Sequence, residues 1–172
     1  MRLFHVSEQP DIAQFIPRPP ERADLDQSKR FVWAVNEKCL PNFLTPRDCP
    51  RVTYHSTGRT TAADTERFFS SSSCHCVAIE RDWHRRILET RLYIYEFDPS
   101  NFCLQDEIAG YYVSEKPETP MSKIEIADPL GELLSRNVEV RILCNLWSLA
   151  DRIMGSTLNW SFCDMANARP RE

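Results

Sequence analysis

Alternation of apolar and polar positions marks strands along much of this chain, and prolines mark the loops between them. The clearest case is Arg91 to Phe97, RLYIYEF, which alternates throughout and predicts a strand. Arg2 to Val6 predicts a first strand with Leu3 and His5 on one face, and Phe31 to Val35 a second, wholly apolar one. Asn36 then reads as a cap for a short helical turn, Glu37 to Leu44, that Pro41 keeps irregular. The segment Thr45 to Arg51 holds Pro46 and Pro50 and predicts a stiff loop before Val52 to Tyr54 resumes an extended pattern.

Further strands are predicted at Cys76 to Glu80, Gly110 to Ser114, Ser122 to Ile126 and Val138 to Ile142. Helical spacing predicts Ala62 to Phe69, with Phe68 and Phe69 inward, and Arg81 to Leu88, burying Trp83 and Ile87. Two Asp-Pro steps, at Asp98 and Asp128, carry the cap-and-first-turn signature and predict helices over Ser100 to Leu104 and on to Ser135. A last helix runs Leu146 to Met154 and stops at Gly155. A short helix is expected at Asp11 to Phe15, a surface loop over 17–30, a polar break at Ser70 to Ser73, and a loose tail over 164–172. The expectation is one α+β domain over 1–172, with a mixed, mainly antiparallel split sheet and short flanking helices.

Composition narrows the picture. The 172 residues are 42% hydrophobic and 27% charged, which is ordinary for a globular domain with a substantial core. A formal charge of −4 argues against bulk nucleic-acid binding. No apolar run approaches the roughly 20 residues needed to cross a bilayer, and the opening MRLFHVSEQP does not read as a signal peptide, so a cytoplasmic protein away from membranes is expected. The seven cysteines form no C-x-x-C pair, which predicts free thiols. In Cys74-His75-Cys76 strand alternation separates the histidine from both thiols, so no metal is expected there. Glycine-rich phosphate loops and nucleophile elbows are absent.

Candidate chemistry gathers at a few positions. Arg47 and Arg51 on the proline loop offer bidentate donors to phosphate or carboxylate; alternatively, both pair with nearby acids and only brace the loop. Tyr54, at the end of the following strand, either lines the same cleft or belongs to the core. His5 either donates to a ligand oxygen or is a buried histidine satisfied by a carbonyl. Glu139 and Arg141 share a strand face, which suits an internal ion pair; as a catalytic acid Glu139 would need a cleft position instead. Trp33, beside the arginine loop, is the tryptophan placed to stack on a ring.

Two stretches resemble the ADP-ribosyltransferase superfamily and its relative RNA 2′-phosphotransferase. Leu3-Phe4-His5-Val6-Ser7 is similar to the first-strand motif of those enzymes, and Val32-Trp33-Ala34-Val35 through Leu40-Pro41-Asn42-Phe43-Leu44 to their second. The chain is also identified as a member of a domain family of unknown function. The enzyme resemblance implies a transferase handling NAD or a phosphorylated nucleotide. His5 and Glu139 would be catalytic, and Ser7, Trp33, Arg47, Arg51 and Tyr54 would hold the substrate. Val6 stands where those enzymes have glycine, which narrows the nicotinamide slot. The alternative function is a non-catalytic α+β domain binding a nucleotide-like anion or a protein partner.

Overall fold

The computed structural model describes residues 1–20, 26–70 and 72–171. Residues 21–25 of the expected loop, Ser71 of the polar break and Glu172 of the tail lie outside the described residues. In chain order the strands are β1 (Leu3–Ser7), β2 (Val32–Asn36), β3 (Arg51–His55), β4 (His75–Glu80), β5 (Leu92–Phe97), β6 (Cys103–Asp106), β7 (Tyr111–Ser114), β8 (Ser122–Ile126), β9 (Glu139–Leu143) and β10 (Asn159–Cys163). The helices are α1 (Ala62–Phe68), α2 (His84–Glu89), α3 (Pro129–Ser135) and α4 (Trp147–Met154). The fold is α+β with two mainly antiparallel sheets. The chain forms two compact units, each from two stretches: Met1–Leu40 with Leu92–Ile126, and Pro41–Arg91 with Ala127–Glu172.

The first unit is a six-stranded antiparallel sheet in the order β6-β7-β2-β1-β5-β8. Its core face gathers Leu3, Val32, Ala34, Tyr95 and Phe97 under Phe15 and Phe102. The Phe15 ring meets Tyr95 and Phe97 edge-on at 5.2 and 5.0 Å. Burying such a ring contributes roughly 1.5–3 kcal/mol. This need corrects the helix expected over Asp11 to Phe15. Phe15 lies extended instead, bridging Glu118 through both backbone amides at 2.8 and 2.9 Å, and Ile12 N donates to the Tyr95 hydroxyl. Ser100 to Leu104 is corrected too. Asp98 caps only a 3-10 turn, Pro99–Asn101, because the following residues are taken up by pairing with β7. Gly110, with φ +69, passes so close that a Cβ there would lie 2.8 Å from both Asn36 and Cys39. Asn36 uses its side chain to cap the turn, accepting from Cys39 N as its sequence position predicts.

The second unit is a four-stranded sheet, β10-β3-β4-β9, in which β4 and β9 run parallel. Val52, Tyr54, Cys76 and Ala78 point from one face onto α1 and α4, which supply Phe68, Leu149, Ala150 and Ile153. Helices α1, α3 and α4 begin and end within a residue of the expected bounds, whereas α2 is corrected: Arg81–Trp83 form a 3-10 turn that leaves Trp83 half-buried, and the α-helix runs His84–Glu89 with Ile87 buried. Thr61 accepts from Asp64 N at the start of α1, Asp128 accepts from Gly131 N before α3, and Gly155 closes α4. The sequence predicts no strand at β10, which pairs along the whole of β3 and packs Trp160 and Phe162 against the core. Beyond it, Trp147 Nε1 donates to Arg169 O at 2.7 Å, and Arg171 pairs with Asp151 at 2.9 Å. No helix among the described residues is long and apolar enough to cross a membrane.

The thiols divide by burial. Cys39, Cys49 and Cys76 are buried, and burial pushes their pKa values up to about 11, about 12 and about 12. Cys74, Cys103 and Cys144 are exposed. Since the thiolate is the reactive form, alkylation of the native protein followed by peptide mass mapping should label the three exposed cysteines first. The three buried ones should react only once denaturant is added. Fast native labelling of Cys49 or Cys76 would contradict the packing.

Candidate functional site

In the first unit, His5 and Ser7 lie on β1 and Trp33 on β2. His5 Nδ1 is 2.9 Å from Trp33 O. A carbonyl only accepts, so Nδ1 carries the proton and Nε2 keeps a lone pair when the ring is neutral. Burial holds His5 below its ordinary pKa, outweighing the Trp33 bond, and the charge of Arg18 adds to the depression. His5 is therefore a neutral imidazole near neutral pH, stacked at a tilt 4.8 Å from Phe15. Ser7 Oγ accepts from Gln9 N where the strand ends. Strand alternation carries Trp33 to the opposite face from Val32, Ala34 and the His5–Phe15 contact. There it packs edge-on with Phe31 and Tyr111. It lines a cavity of about 110 Å³ with Pro20, Asp26, Lys29, Phe31 and Gln105. The structure thus brings the His5 ring to the Trp33 backbone but not to its indole.

In the second unit the two loop arginines part company. Arg47 is exposed, with 66% of its side chain open and Asp48 3.8 Å away. Arg51 corrects the loop reading, since it is the first residue of β3 and only 6% exposed. Its Nε donates to Asn42 O at 2.6 Å, and its Nη1 to Cys49 O at 2.9 Å and to Asp164 Oδ2 at 2.7 Å. Burial opposes its charge, but the negative charge that Cys163, Asp164 and Cys49 carry when deprotonated, with the Asp164 bond, more than offsets this and raises its pKa. Tyr54 sits in the core, its hydroxyl donating to Phe68 O at 3.0 Å.

Glu139 is half-buried on β9 and committed on both oxygens. Oε1 accepts from Arg141 Nε at 2.7 Å and Oε2 from Ser70 N at 2.9 Å. Partial burial would raise its pKa, but these bonds prevail and hold it below the ordinary carboxylate value. It is ionised at neutral pH and has no proton to donate. The ion pair of the sequence reading is the arrangement present.

Beyond this pair lies a groove that the sequence reading missed. It measures about 360 Å³ and is lined by Arg141, Leu143, Asn145, Ser148, Leu149 and Arg152. Arg141 Nη2 donates to Phe68 O at 2.6 Å, and the Arg152 guanidinium lies 5.6 Å over the Phe68 ring. No carboxylate among the described residues pairs with Arg152. Ser148 and Arg152 stand four apart on α4, the spacing that puts two side chains on one helix face, so half of the groove was legible as an i, i+4 pair. Chemically the arrangement offers two cations over an apolar floor. Among the described residues no group of three or more His, Cys, Asp or Glu is gathered to hold a metal.

The chain belongs to a family described as Family of unknown function (DUF6886), whose pattern matches residues 4–168. No curated protein and no solved structure matches it.

Two measurements test the residues described above. Arg51→Ala should cost roughly 2–4 kcal/mol in denaturant unfolding, toward the low end for a buried pair because Asp164 keeps some contact with water. Arg47→Ala should stay within about 0.5 kcal/mol of the parent. A parent-like Arg51→Ala would remove the bracing role. For His5, the unfolded chain binds a proton below about pH 6.5 that the folded chain resists. The parent's melting temperature should therefore fall relative to that of His5→Gln between about pH 7.5 and about 5.5. An unchanged difference across that range would show that His5 is not held neutral by the fold.

Proposed function

We propose that this protein binds a phosphate-bearing, nucleotide-sized anion in the groove of Arg141 and Arg152, without chemistry on it. The observation that carries the reading is Arg152, a guanidinium with no carboxylate partner among the described residues, lining one cavity with Arg141. A volume of about 360 Å³ falls in the small-ligand range. Leu143 and Leu149 suit the apolar face of a base or ring, while the two guanidiniums suit its phosphate. Glu139 orients Arg141 and stays ionised, which suits a binding residue better than a proton donor.

A second reading, a transferase acting on NAD or a phosphorylated nucleotide with His5 and Glu139 as catalytic groups, is supported by one feature. His5 is neutral and keeps an Nε2 lone pair while Nδ1 is anchored. In that reading Ser7, Trp33, Arg47, Arg51 and Tyr54 serve the substrate. It has less support, because Arg51 and Tyr54 spend their polar atoms inside the protein.

Thermal shift and calorimetry with AMP, a 2′-phosphorylated nucleotide, ADP-ribose, NAD and inorganic phosphate separate the readings. A ligand that binds only the native state raises the melting temperature. Arg152→Glu should weaken nucleotide binding by at least about tenfold, the scale of one charge-assisted hydrogen bond. Its own melting temperature should stay near the parent's because the residue is exposed. Turnover of NAD that depends on His5 would favour the transferase. Nucleotide binding that ignores Arg152→Glu would remove the groove.

A further inference from the structure

We propose that the outer edge of β8 pairs with β8 of a second copy of this chain, in antiparallel register about Ile124, to form a homodimer. β8 ends the six-stranded sheet; its one strand partner among the described residues is β5. Its far edge therefore offers a row of backbone donors and acceptors with no strand beside it. Ser122 to Glu125 are all exposed, and Ile124 is 52% and the neighbouring Met121 60% open.

The sequence of the edge selects its own partner. Two-fold antiparallel pairing centred on Ile124 sets Ser122 opposite Ile126, Lys123 opposite Glu125, and Ile124 opposite its own copy. Each Lys123 then meets a Glu125 of opposite charge, twice per interface, with the isoleucines side by side on the other face. Neighbouring registers lose this match. Centring on Lys123 or on Glu125 opposes two like charges, and a one-residue slip sets Ile124 against a charge. Of these registers, only the one centred on Ile124 opposes unlike charges and sets the isoleucines side by side.

A lysine on an edge strand ordinarily guards against such pairing. Here Lys123 is drawn back over its own sheet, Nζ donating to Pro10 O at 2.6 Å, lying 3.6 Å from Asp11 Oδ1 and 5.5 Å from the Tyr93 ring centre. It therefore leaves the edge unguarded in the single chain, and on pairing it turns from Asp11 to the partner's Glu125, which lies on the same face of the sheet. A five-residue ladder is much smaller than a standard interface, so the dimer forms at high concentration and dissociates on dilution.

Sedimentation velocity from low micromolar to near-millimolar protein is the test. The parent should move from 20.1 kDa toward twice that mass as concentration rises. Lys123→Glu leaves the strand acidic at both charged positions and Glu125→Lys leaves it basic at both. Each alone should raise the dimer dissociation constant by at least about tenfold through like-charge opposition. An equimolar mixture of the two variants should recover a dimer, since opposite edges then meet. Ile124→Pro, which blocks the ladder, should remain monomeric. A parent that stays monomeric throughout overturns the proposal, as does a mixture no more dimeric than either variant alone, or a dimer that survives both charge reversals.

Discussion

One buried guanidinium holds the start of the second sheet. Arg51 opens β3 with Cys163 of β10 and Ile79 of β4 as its register partners, in the middle of the sheet. Its three bonds, to Asn42 O, Cys49 O and Asp164, tie together three stretches that carry no regular pairing of their own. Two of the turns around it, at Asp48 and Asp164, run through left-handed backbone at φ 61° and 54°. Such a residue costs of order 1–3 kcal/mol and persists only where its surroundings over-determine it. Aspartate tolerates that region better than most, and Arg51 fixes one of these aspartates through its side chain and the other's neighbour, Cys49, through its carbonyl. Removing a charge from water is expensive; here oxygens meet it on several sides and the Phe43 ring lies 5.3 Å away. The edge strand β10 depends on the same bond, because Asp164 directly follows it.

Much of the fold was legible because its signals are local. The alternation of β5, the Asp-Pro cap of α3 and the glycine stop of α4 each act within a few residues, and each element appears where its pattern lies. The failures share a cause as well. Cys103 to Asp106 and Asn159 to Cys163 are edge strands, exposed or half-buried, and they owe their conformation to a ladder supplied from elsewhere in the chain. Asn159-Trp160-Ser161-Phe162-Cys163 does alternate, but the tail composition around it obscured the period. Phe15 is the opposite case. Its local sequence suits a turn of helix, and the demand of the Tyr95–Phe97 core for one more ring overrides it.

The candidate site was less legible, since residue type alone does not say whether a polar group faces ligand or protein. Arg51 beside two prolines reads as an anion site, but what decides its role is the number of carbonyls around it, and these come from Asn42 and Cys49, with a carboxylate from Asp164 far along the chain. The strand it opens, Arg51-Val52-Thr53-Tyr54-His55, did hold a clue. Period two makes Val52 and Tyr54 one face, and a tyrosine sharing a face with valine belongs to a core. Glu139 and Arg141 were readable as a pair for the same reason. Arg152 was not, because its relation to Arg141 depends on how the chain turns between β9 and α4.

That relation follows from the end of a helix. α1 stops at Phe68, and the last carbonyls of a helix lack intrahelical partners and carry partial negative charge. Phe68 O meets this need with the Tyr54 hydroxyl and Arg141 Nη2. The cation suits the negative end of the helix, and the Glu139 bond fixes the same guanidinium from its Nε side. Arg141 is therefore held by two protein partners, and the entropy of ordering its long side chain is lost on folding. The Phe68 ring carries Arg152 on its face, so one residue positions both cations, one by its carbonyl and one by its ring. Glu139 cancels much of the charge of Arg141, which leaves Arg152 the less compensated of the groove's two cations. An anion entering there would be drawn by Arg152 and oriented by Arg141.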